Sequence, residues 1–376
     1  MGDGVMTKII RFLTAGESHG QALGGIVEGL PCGYELDFDF INSELSARQG
    51  GFGRGGRMQI EKDKIKILSG VRFAKTTASP IMFQIENKDW QNWIYPMSVE
   101  KFDFEALDEE IKNKIKEKVI TKFRPAHADF AGAMKYDFDD IRNVLERSSA
   151  RETATRVAIG AICQNILKSY NISFEFDVLQ IGECKDKEKF EEYINEFSQK
   201  GESLGGIIKI TIKNTPIGLG SFVHWDRRLD AQLANALMSI PAIKSVEVGL
   251  GKDYGLKSGF EAHDEIEFDN KYIHKTNNSG GIEGGMSNGE DIILTVAMKP
   301  IPTMKKALNS VEIKTHNKTQ AHFERADCCA VEACGVVCKN MCAIIILDNF
   351  LQKFGSDVKT DIDLSFENYK KRLNDK

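Results

Sequence analysis

Arginine and glycine alternate densely near the first glycine-rich run of the chain. Arg48, Arg54 and Arg57 accompany five glycines within ten residues. Glycine lets backbone N–H groups approach an anion, and the arginine fork binds phosphate or carboxylate through paired hydrogen bonds. A flexible surface loop with solvated charges would have the same composition. The density of arginine favours a binding site for a phosphorylated or carboxylated ligand.

The glycines at residues 51–56 also have the spacing G-x-G-x-x-G. A dinucleotide-binding turn of this type requires a strand before it and a helix after it. Residues 40–47 are instead patterned as a helix, and residues 60–68 alternate like a strand. The sequence therefore argues against a Rossmann nucleotide site.

A second basic run, RSSARETA at residues 147–154, opens a predicted helix. Ser148 or Ser149 is placed to cap the helix, and Glu152 occupies the acidic position of a capping box. A helix N-terminus with hydroxyls and arginines such as Arg147 suits a phosphate group. An ordinary capped helix with exposed arginines explains the same residues, and this run alone leaves both interpretations open.

A third run, residues 280–289, is rich in glycine but has no lysine at Walker spacing, so it is not a P-loop. Its backbone is open to a flat or phosphorylated ligand. The segment KPIPT at residues 299–303 follows the next predicted strand. Lys299 and Thr303 are candidates for contact with a second phosphate.

Two histidines lie in predicted loops beside small or basic residues, which is typical of functional histidines. His19 belongs to the run GESHG, and His127 belongs to the run RPAHAD. A structural role is equally compatible with either residue alone. The remaining histidines are predicted at the surface: His224, His263, His274, His316 and His322. No H-E-x-x-H or C-x-x-C pattern indicates a metal site.

Five of the eight cysteines lie between residues 328 and 342. Cys334, Cys338 and Cys342 recur every fourth residue in an apolar run that ends near Phe354. This spacing predicts a buried stripe on one helix face, where cysteine packs as a small hydrophobe. A metal or redox role is the alternative.

Composition excludes several classes of protein. The chain has 376 residues, 41% hydrophobic and 28% charged, with a formal net charge of −5, which argues against a nucleic-acid partner. Its first residues do not resemble a signal peptide, and no apolar run approaches about 18 residues. We therefore expect a cytoplasmic protein with reduced thiols and no membrane span.

The apolar pattern predicts a mixed α/β or α+β fold. Strands are predicted at residues 24–28, 65–68, 207–212, 246–249 and 292–298, and helices near residues 104–119, 157–166 and 229–237. The run GES, an apolar stretch and a Pro-x-Gly turn occur at residues 16–33 and again at residues 201–218. This echo predicts two related halves.

Taken in order, these runs resemble the chorismate synthase family from about residue 10 to residue 363. The specific motifs are GESHG, the arginine–glycine run, RPAHAD, RSSARETA, MSIPA at residues 238–242, the third glycine run, KPIPT, and the residues Arg325-Ala326-Asp327. In some positions this chain differs from the family pattern. Ala126 replaces a glycine before His127, and Ala326 and Cys328 replace a histidine and a proline around Asp327.

The resemblance implies a lyase that converts 5-enolpyruvylshikimate-3-phosphate to chorismate by 1,4-anti elimination of phosphate. It implies reduced FMN as cofactor, an association with NADP, a β-α-β sandwich fold in one domain over residues 1–376, and a homotetramer. The chain is too short to hold an obvious reductase domain, so we expect a separate flavin reductase.

The resemblance also assigns residues to roles. The implied catalytic residues are His19, which would assist the departing phosphate, His127, which would hold the protonation state of the flavin, and Asp327, which would take the ring proton. The implied substrate-binding residues are Arg48, Arg54, Arg57, Arg124 and Arg325. The implied FMN-binding residues are Arg147, Ser148, Ser149, Pro241, Ala242, Gly284, Lys299, Pro300, Ile301, Pro302, Thr303 and Arg325.

Overall fold

The computed structural model describes residues 8–54, 63–323 and 327–375, and two four-stranded antiparallel sheets dominate this part of the chain. Their strands are β1 (Arg11–Ala15), β2 (Ala22–Glu28), β3 (Lys66–Ile67), β4 (Ile81–Glu86), β5 (Ser173–Ile181), β6 (Gly206–Lys213), β7 (Ile243–Val248) and β8 (Ile292–Met298). The first sheet has the order β1-β2-β4-β3, and the second has the order β5-β6-β8-β7.

The helices of the described residues are α1 (Phe38–Gln49), α2 (Glu109–Lys118), α3 (Asp129–Tyr136), α4 (Arg142–Ser148), α5 (Thr153–Lys168), α6 (Phe190–Lys200), α7 (Leu229–Met238), α8 (Gly259–Ala262), α9 (Val331–Phe354) and α10 (Lys359–Asn374). Short hairpins pair Val71–Arg72 with Lys75–Thr76, Ile266–Phe268 with Tyr272–His274, Ile282–Glu283 with Met286–Ser287, and Asn309–Val311 with Lys318–Gln320. Single 3-10 turns occur at Lys88–Asn92, Ala150–Glu152, Lys187–Lys189, Trp225–Arg227 and Gly251–Leu256.

Alternation of apolar and polar residues determines which face of each sheet is buried. In β4, Ile81, Phe83 and Ile85 are buried, whereas Met82 and Glu86 between and beyond them are exposed. This period of two is the expected pattern for a strand with one face on a core. The predicted strands at residues 24–28, 207–212 and 292–298 are confirmed in β2, β6 and β8, and those at 65–68 and 246–249 overlap β3 and β7.

A layer of helices separates the two sheets. The helices α5 and α9 pack directly on each other, and α1 and α7 pack beside them. Gly160 makes the crossing possible, because a Cβ atom there would lie 2.3 Å from the backbone oxygen of Asn340. One hydrophobic core includes residues of both sheets and of these helices. The predicted β-α-β sandwich is therefore confirmed, while a single domain over residues 1–376 stays a prediction.

The helix α9 carries the predicted cysteine stripe. By length and composition it could cross a membrane, but 94% of its most apolar window is buried inside this protein. Cys338 and Cys342 are fully buried, and Cys334 is 8% exposed. Burial raises the pKa of the Cys342 thiol. These thiols pack as small hydrophobes in the core, as the spacing predicts.

The two sheets repeat one topology. In each half two strands are followed by a helix, two more strands and a second helix, and the spatial order of the strands is first, second, fourth, third. The halves are β1 to α5 and β5 to α9, with α2 to α4 inserted in the first and α6 and α8 in the second. This correspondence supports the two related halves that the sequence echo predicts.

Four local predictions differ from the structure. Ser149 caps the 3-10 turn that precedes α5 by accepting from the N–H of Arg151, and α5 begins only at Thr153 without a side-chain cap. Glu152 is not a capping-box acid, because its carboxylate bonds to Arg156 at 3.0 Å. His274 is not at the surface; its side chain is 10% exposed and lies between two glutamates. The helix predicted from residue 104 begins at Glu109.

Candidate active site

The GESHG loop between β1 and β2 places His19 in a nearly closed environment. Its side chain is 10% exposed. Glu146 of α4 accepts hydrogen bonds from the backbone N–H of His19 at 2.8 Å and from ring Nδ1 at 2.9 Å. The side-chain amide of Asn87 donates to the carbonyl oxygens of Glu17 at 3.2 Å and Gly20 at 2.7 Å, which fixes the shape of the loop.

Glu146 is a buried carboxylate that is held in its ionised form. Burial alone would raise its pKa, but hydrogen bonds from His19 and from Arg142 outweigh that effect, and the pKa is lowered. The Arg142 guanidinium donates to Glu146 at 2.9 Å. A carboxylate between two donors of this kind keeps its charge near neutral pH.

An aromatic ring covers the face of the same imidazole. The rings of His19 and Trp93 stack with centroids 4.0 Å apart and planes inclined by 28°. The Arg142 guanidinium and the Lys118 ammonium also lie near Trp93, at 4.9 Å and 4.4 Å from its centroid. The indole of Trp93 thus lies beside two cations, Arg142 and Lys118, and beside the imidazole of His19. The negative π-face of the indole stabilises positive charge at these positions.

Two buried arginines share one aspartate beside this loop. Asp63 accepts from Arg48 at 2.9 Å and from Arg151 at 2.6 Å, and Arg151 also donates to the Asn87 side chain at 3.0 Å. Burial lowers the pKa of Arg48 to about 10; Asp63 opposes this shift, and the charges of Arg151 and Arg54 add to it. Two guanidinium groups and one carboxylate leave an excess of positive charge, which suits an anionic ligand.

The loop after α1 brings Arg54 to Asp327. Their side chains form an ion pair at 3.2 Å, and they are 14% and 27% exposed. Gly53 makes this approach possible: it has φ +82°, its carbonyl accepts from the N–H of Cys328 at 2.9 Å, and a Cβ atom would lie 2.7 Å from Ile194. Arg57 and Arg325 lie outside the described residues, so their predicted substrate contacts stay predictions.

His127 has its own carboxylate and arginine. Asp129, which is fully buried, lies 2.8 Å from His127 Nδ1 and accepts two bonds from the Arg124 guanidinium, each at 2.8 Å. Burial would raise the pKa of Asp129, but the hydrogen bonds of Arg124 and His127 dominate, so the pKa lies well below its usual value. Arg124 is therefore occupied by Asp129, and its predicted contact with substrate has no direct support in this geometry.

Lys299 connects the second sheet to the His127 loop. Its ammonium donates to the carbonyl oxygen of Ala126, and its backbone N–H donates to the carbonyl of Ala242 at 2.9 Å. Burial lowers the pKa of Lys299, and the nearby charge of Lys244 adds to the effect. The structure thus gathers Lys299, Ala242 and the His127 loop, three of the predicted elements, in one region.

The other predicted FMN residues are only partly gathered. Ile301 and the buried Thr303 follow Lys299, and the Ile301 carbonyl accepts from the Ser203 hydroxyl at 2.6 Å. Pro241 directly precedes Ala242, and Pro300 and Pro302 lie within the same segment as Lys299. Gly284 stands at a hairpin turn with φ +57°, and no atom lies within 4 Å of where a Cβ would be.

The RSSARETA run contacts the first strand. Arg147 donates to the backbone carbonyl of Thr14 at 2.9 Å and to that of Gly16 at 3.2 Å. The Ser148 hydroxyl donates to the carbonyl of Val144 at 2.7 Å. These contacts attach the run to the strand that leads into the GESHG loop. They place the Arg147 guanidinium at the carbonyl of Gly16, the first residue of that loop.

Sequence reasoning missed the residues that hold the site together: Asp63, Asn87, Trp93, Arg142 and Glu146. Asp63 and Arg142 lie in charged stretches that are usually solvated, so nothing in their pattern marked them. The one available signal was the i, i+4 spacing of Arg142 and Glu146, which permits an ion pair on a helix. In the part of the chain that the structure describes, no cluster of three or more metal-binding side chains was found.

The chain is similar in sequence to known proteins over nearly its whole length. The family model described as chorismate synthase matches residues 10–351. The chorismate synthase of Thermoanaerobacter pseudethanolicus is 49% identical over 362 residues, which cover 96% of this chain and 98% of that protein. The chorismate synthase of Aquifex aeolicus is 44% identical, with 96% of this chain and 98% of that protein covered.

A solved structure shows the same fold. A crystal structure of chorismate synthase superposes with a TM-score of 0.75 at 35% identity, covering 98% of this chain and 99% of that one. Both sequence and fold are therefore similar over nearly the whole length, and the motifs GESHG and RSSARETA lie inside the matched region. The chain belongs to the chorismate synthase family, the chorismate-forming lyases of the shikimate pathway.

Proposed function

We propose that this chain converts 5-enolpyruvylshikimate-3-phosphate to chorismate and phosphate by 1,4-anti elimination with reduced FMN, the last common step of aromatic amino-acid biosynthesis. The observation that supports this most strongly is a hydrogen-bonded cluster at the GESHG loop. Asn87 bonds both to the loop of His19 and to Arg151, and Arg151 shares Asp63 with Arg48. The cluster combines an acid–base group with cations suited to a phosphate.

The residues near Lys299 fit the phosphate and ring of a flavin. Lys299 hydrogen-bonds to a neutral carbonyl, so its charge is available to an anion, and Lys244 adds positive potential. Gly284 presents bare backbone to open space. When bound, reduced FMN supplies the electron density that breaking an unactivated C–H bond requires and that side chains lack. The proposed FMN-binding residues are those named above from Arg147 to Thr303, together with Arg325.

The chain's own residues would neutralise the charges of the substrate and transfer protons. Arg48 and the neighbouring arginines Arg54 and Arg57 would neutralise the phosphate and carboxylates, which lowers the barrier to phosphate departure. His19 would donate a proton to the departing phosphate, and Asp327, oriented by Arg54, would accept the ring proton. Arg124 would act through Asp129 and His127 on the flavin side of the site.

Several properties of the whole protein belong to the same proposal. The chain would act as a homotetramer in the cytoplasm, as a single domain, with a small-molecule substrate and a separate flavin reductase. All eight cysteines fall in the described part of the chain and are free thiols, which suits a reducing compartment.

Anaerobic turnover tests the proposed reaction. The purified chain is incubated with 5-enolpyruvylshikimate-3-phosphate and chemically reduced FMN, and chorismate is followed by its absorbance. We expect chorismate and phosphate in equal amounts with reduced FMN and none with oxidised FMN. Absence of chorismate with reduced FMN under oxygen-free conditions would overturn the proposal.

A further inference from the structure

We infer that Glu146 is the positioning residue that fixes His19 as an Nδ1–H donor and places a negative charge beside the imidazole that would serve the departing phosphate. The inference rests on the proposed lyase function of the site. It concerns a residue outside every motif-based assignment made above. The carboxylate of Glu146 is 1% exposed and faces the ring and backbone of His19.

The contacts between Glu146 and the GESHG loop are numerous and directional. The carboxylate accepts from the backbone N–H of His19 at 2.8 Å and lies 2.9 Å and 3.1 Å from Nδ1 through its two oxygens. The backbone carbonyl of Glu146 accepts from the N–H of Ser18 at 3.0 Å. Since an ionised carboxylate only accepts hydrogen bonds, Nδ1 must carry a proton. Proton exchange with a ligand then runs through Nε2.

The charge of Glu146 stabilises a protonated ring. Burial works against ionisation of Glu146, yet hydrogen bonds from His19 and Arg142 lower its pKa. A buried carboxylate 2.9 Å from Nδ1 favours the imidazolium over the neutral ring because the attraction is poorly screened there. The face of Trp93, at 4.0 Å, adds a smaller cation–π stabilisation.

Other charged groups near His19 have opposing effects. Arg142 and Lys118 lie around Trp93 and disfavour a further cation. Arg147 reaches the same loop at the carbonyl of Gly16, whereas Glu17 belongs to the loop and adds negative charge. Without the carboxylate of Glu146, the cations prevail and the imidazolium loses its main support.

The test compares wild type with Glu146→Gln in two measurements. The ¹⁵N shifts of His19 in the resting protein at neutral pH report which ring nitrogen carries a proton. Anaerobic single turnover with reduced FMN gives the pH–rate profile. Loss of this negative charge should move the alkaline limb to lower pH by roughly 1–2 units, so turnover on that limb should slow by about 10–100-fold.

One further variant separates this role from a general loss of structure. Glu152→Gln is the matched control: Glu152 is also buried and paired with an arginine four residues away, Arg156, but it bonds to Thr14 rather than to His19. It should leave the alkaline limb in place.

The outcomes are distinguishable. An alkaline limb that stays in place in folded Glu146→Gln overturns the inference. If Glu146→Gln does not fold, the wild-type spectrum decides: an unprotonated Nδ1 at neutral pH contradicts the inference. A wild type that makes no chorismate overturns the proposed function instead, and the ¹⁵N measurement still tests Glu146.

Discussion

His19 and His127 each lie beside a buried carboxylate that binds an arginine, but the two rings are held differently. Each ring presents Nδ1 to a buried carboxylate, Glu146 or Asp129, that also binds an arginine. At His127, however, Nη2 of Arg124 lies 3.0 Å from Nδ1 as well. A guanidinium only donates, so Nδ1 of His127 can donate to Asp129 or accept from Arg124, but it cannot do both.

Nδ1 of His19 is therefore a fixed hydrogen-bond donor, whereas Nδ1 of His127 can either donate or accept. His19 is locked by a carboxylate that also binds its backbone N–H, which suits repeated proton donation to one leaving group. His127 has two available hydrogen-bonding states for Nδ1, which suits a residue that follows the protonation state of a bound ring. We therefore expect the two histidines to serve different steps, and each of the following predictions tests that contrast.

The largest expected effect comes from replacing the histidines in turn by asparagine. Asparagine can still donate to the neighbouring carboxylate, so the local structure should persist. His19→Asn should slow anaerobic single turnover by roughly 10²–10⁴-fold, the range for losing a general acid, with FMN affinity retained. His127→Asn should weaken FMN binding in calorimetry. Equal effects of both variants on both measurements would contradict the contrast.

The carboxylate of Asp129 should matter most for stability. Asp129→Asn breaks a buried bidentate pair with Arg124 and should lower the free energy of unfolding at pH 7 by about 3–5 kcal/mol. Because folding lowers the pKa of Asp129, its contribution is present above about pH 4 and is lost as the pH falls below that value. Between pH 5 and pH 3 the free energy of unfolding should therefore fall less in the variant than in wild type, by about 1 kcal/mol.

Urea denaturation measures this effect, and Asp139→Asn is its control. Asp139 pairs with Lys314 at 3.2 Å, but its side chain is 81% exposed. An exposed pair of this kind contributes about 0–1 kcal/mol. A loss at Asp129 no greater than the loss at Asp139 would show that the Arg124 pair does not stabilise the His127 loop.

The smallest expected effect concerns Ala126. This residue has φ +62°, a left-handed conformation that costs an L-residue about 1–2 kcal/mol. Ala126→Gly should therefore raise the free energy of unfolding by up to about 1 kcal/mol. Ala128→Gly is the control, because Ala128 has φ −72° and should gain nothing. A loss of stability in Ala126→Gly would show that the loop is not strained.

The two histidines also show how far sequence reasoning extends. The partner of His127 is Asp129, two residues away, so the run RPAHAD contains the arginine, the histidine and the carboxylate together. The partner of His19 is 127 residues away, and only the fold joins them. Strands such as β8 were predictable from alternation, and α9 from its continuous apolar run. The buried position of Asp63 was not predictable, because a single acid in a charged stretch has no pattern that indicates burial beside Arg48 and Arg151.

We propose that the reaction takes place in the region that joins His19, the buried arginines and the Arg54–Asp327 pair. Its most direct test is anaerobic single turnover with prereduced FMN, comparing wild type with Asp327→Asn. Asparagine keeps the size of the side chain but cannot accept the ring proton. We expect chorismate formation to be slower by roughly 10²–10⁴-fold, with substrate and FMN still bound. A variant that forms chorismate at close to the wild-type rate would contradict it.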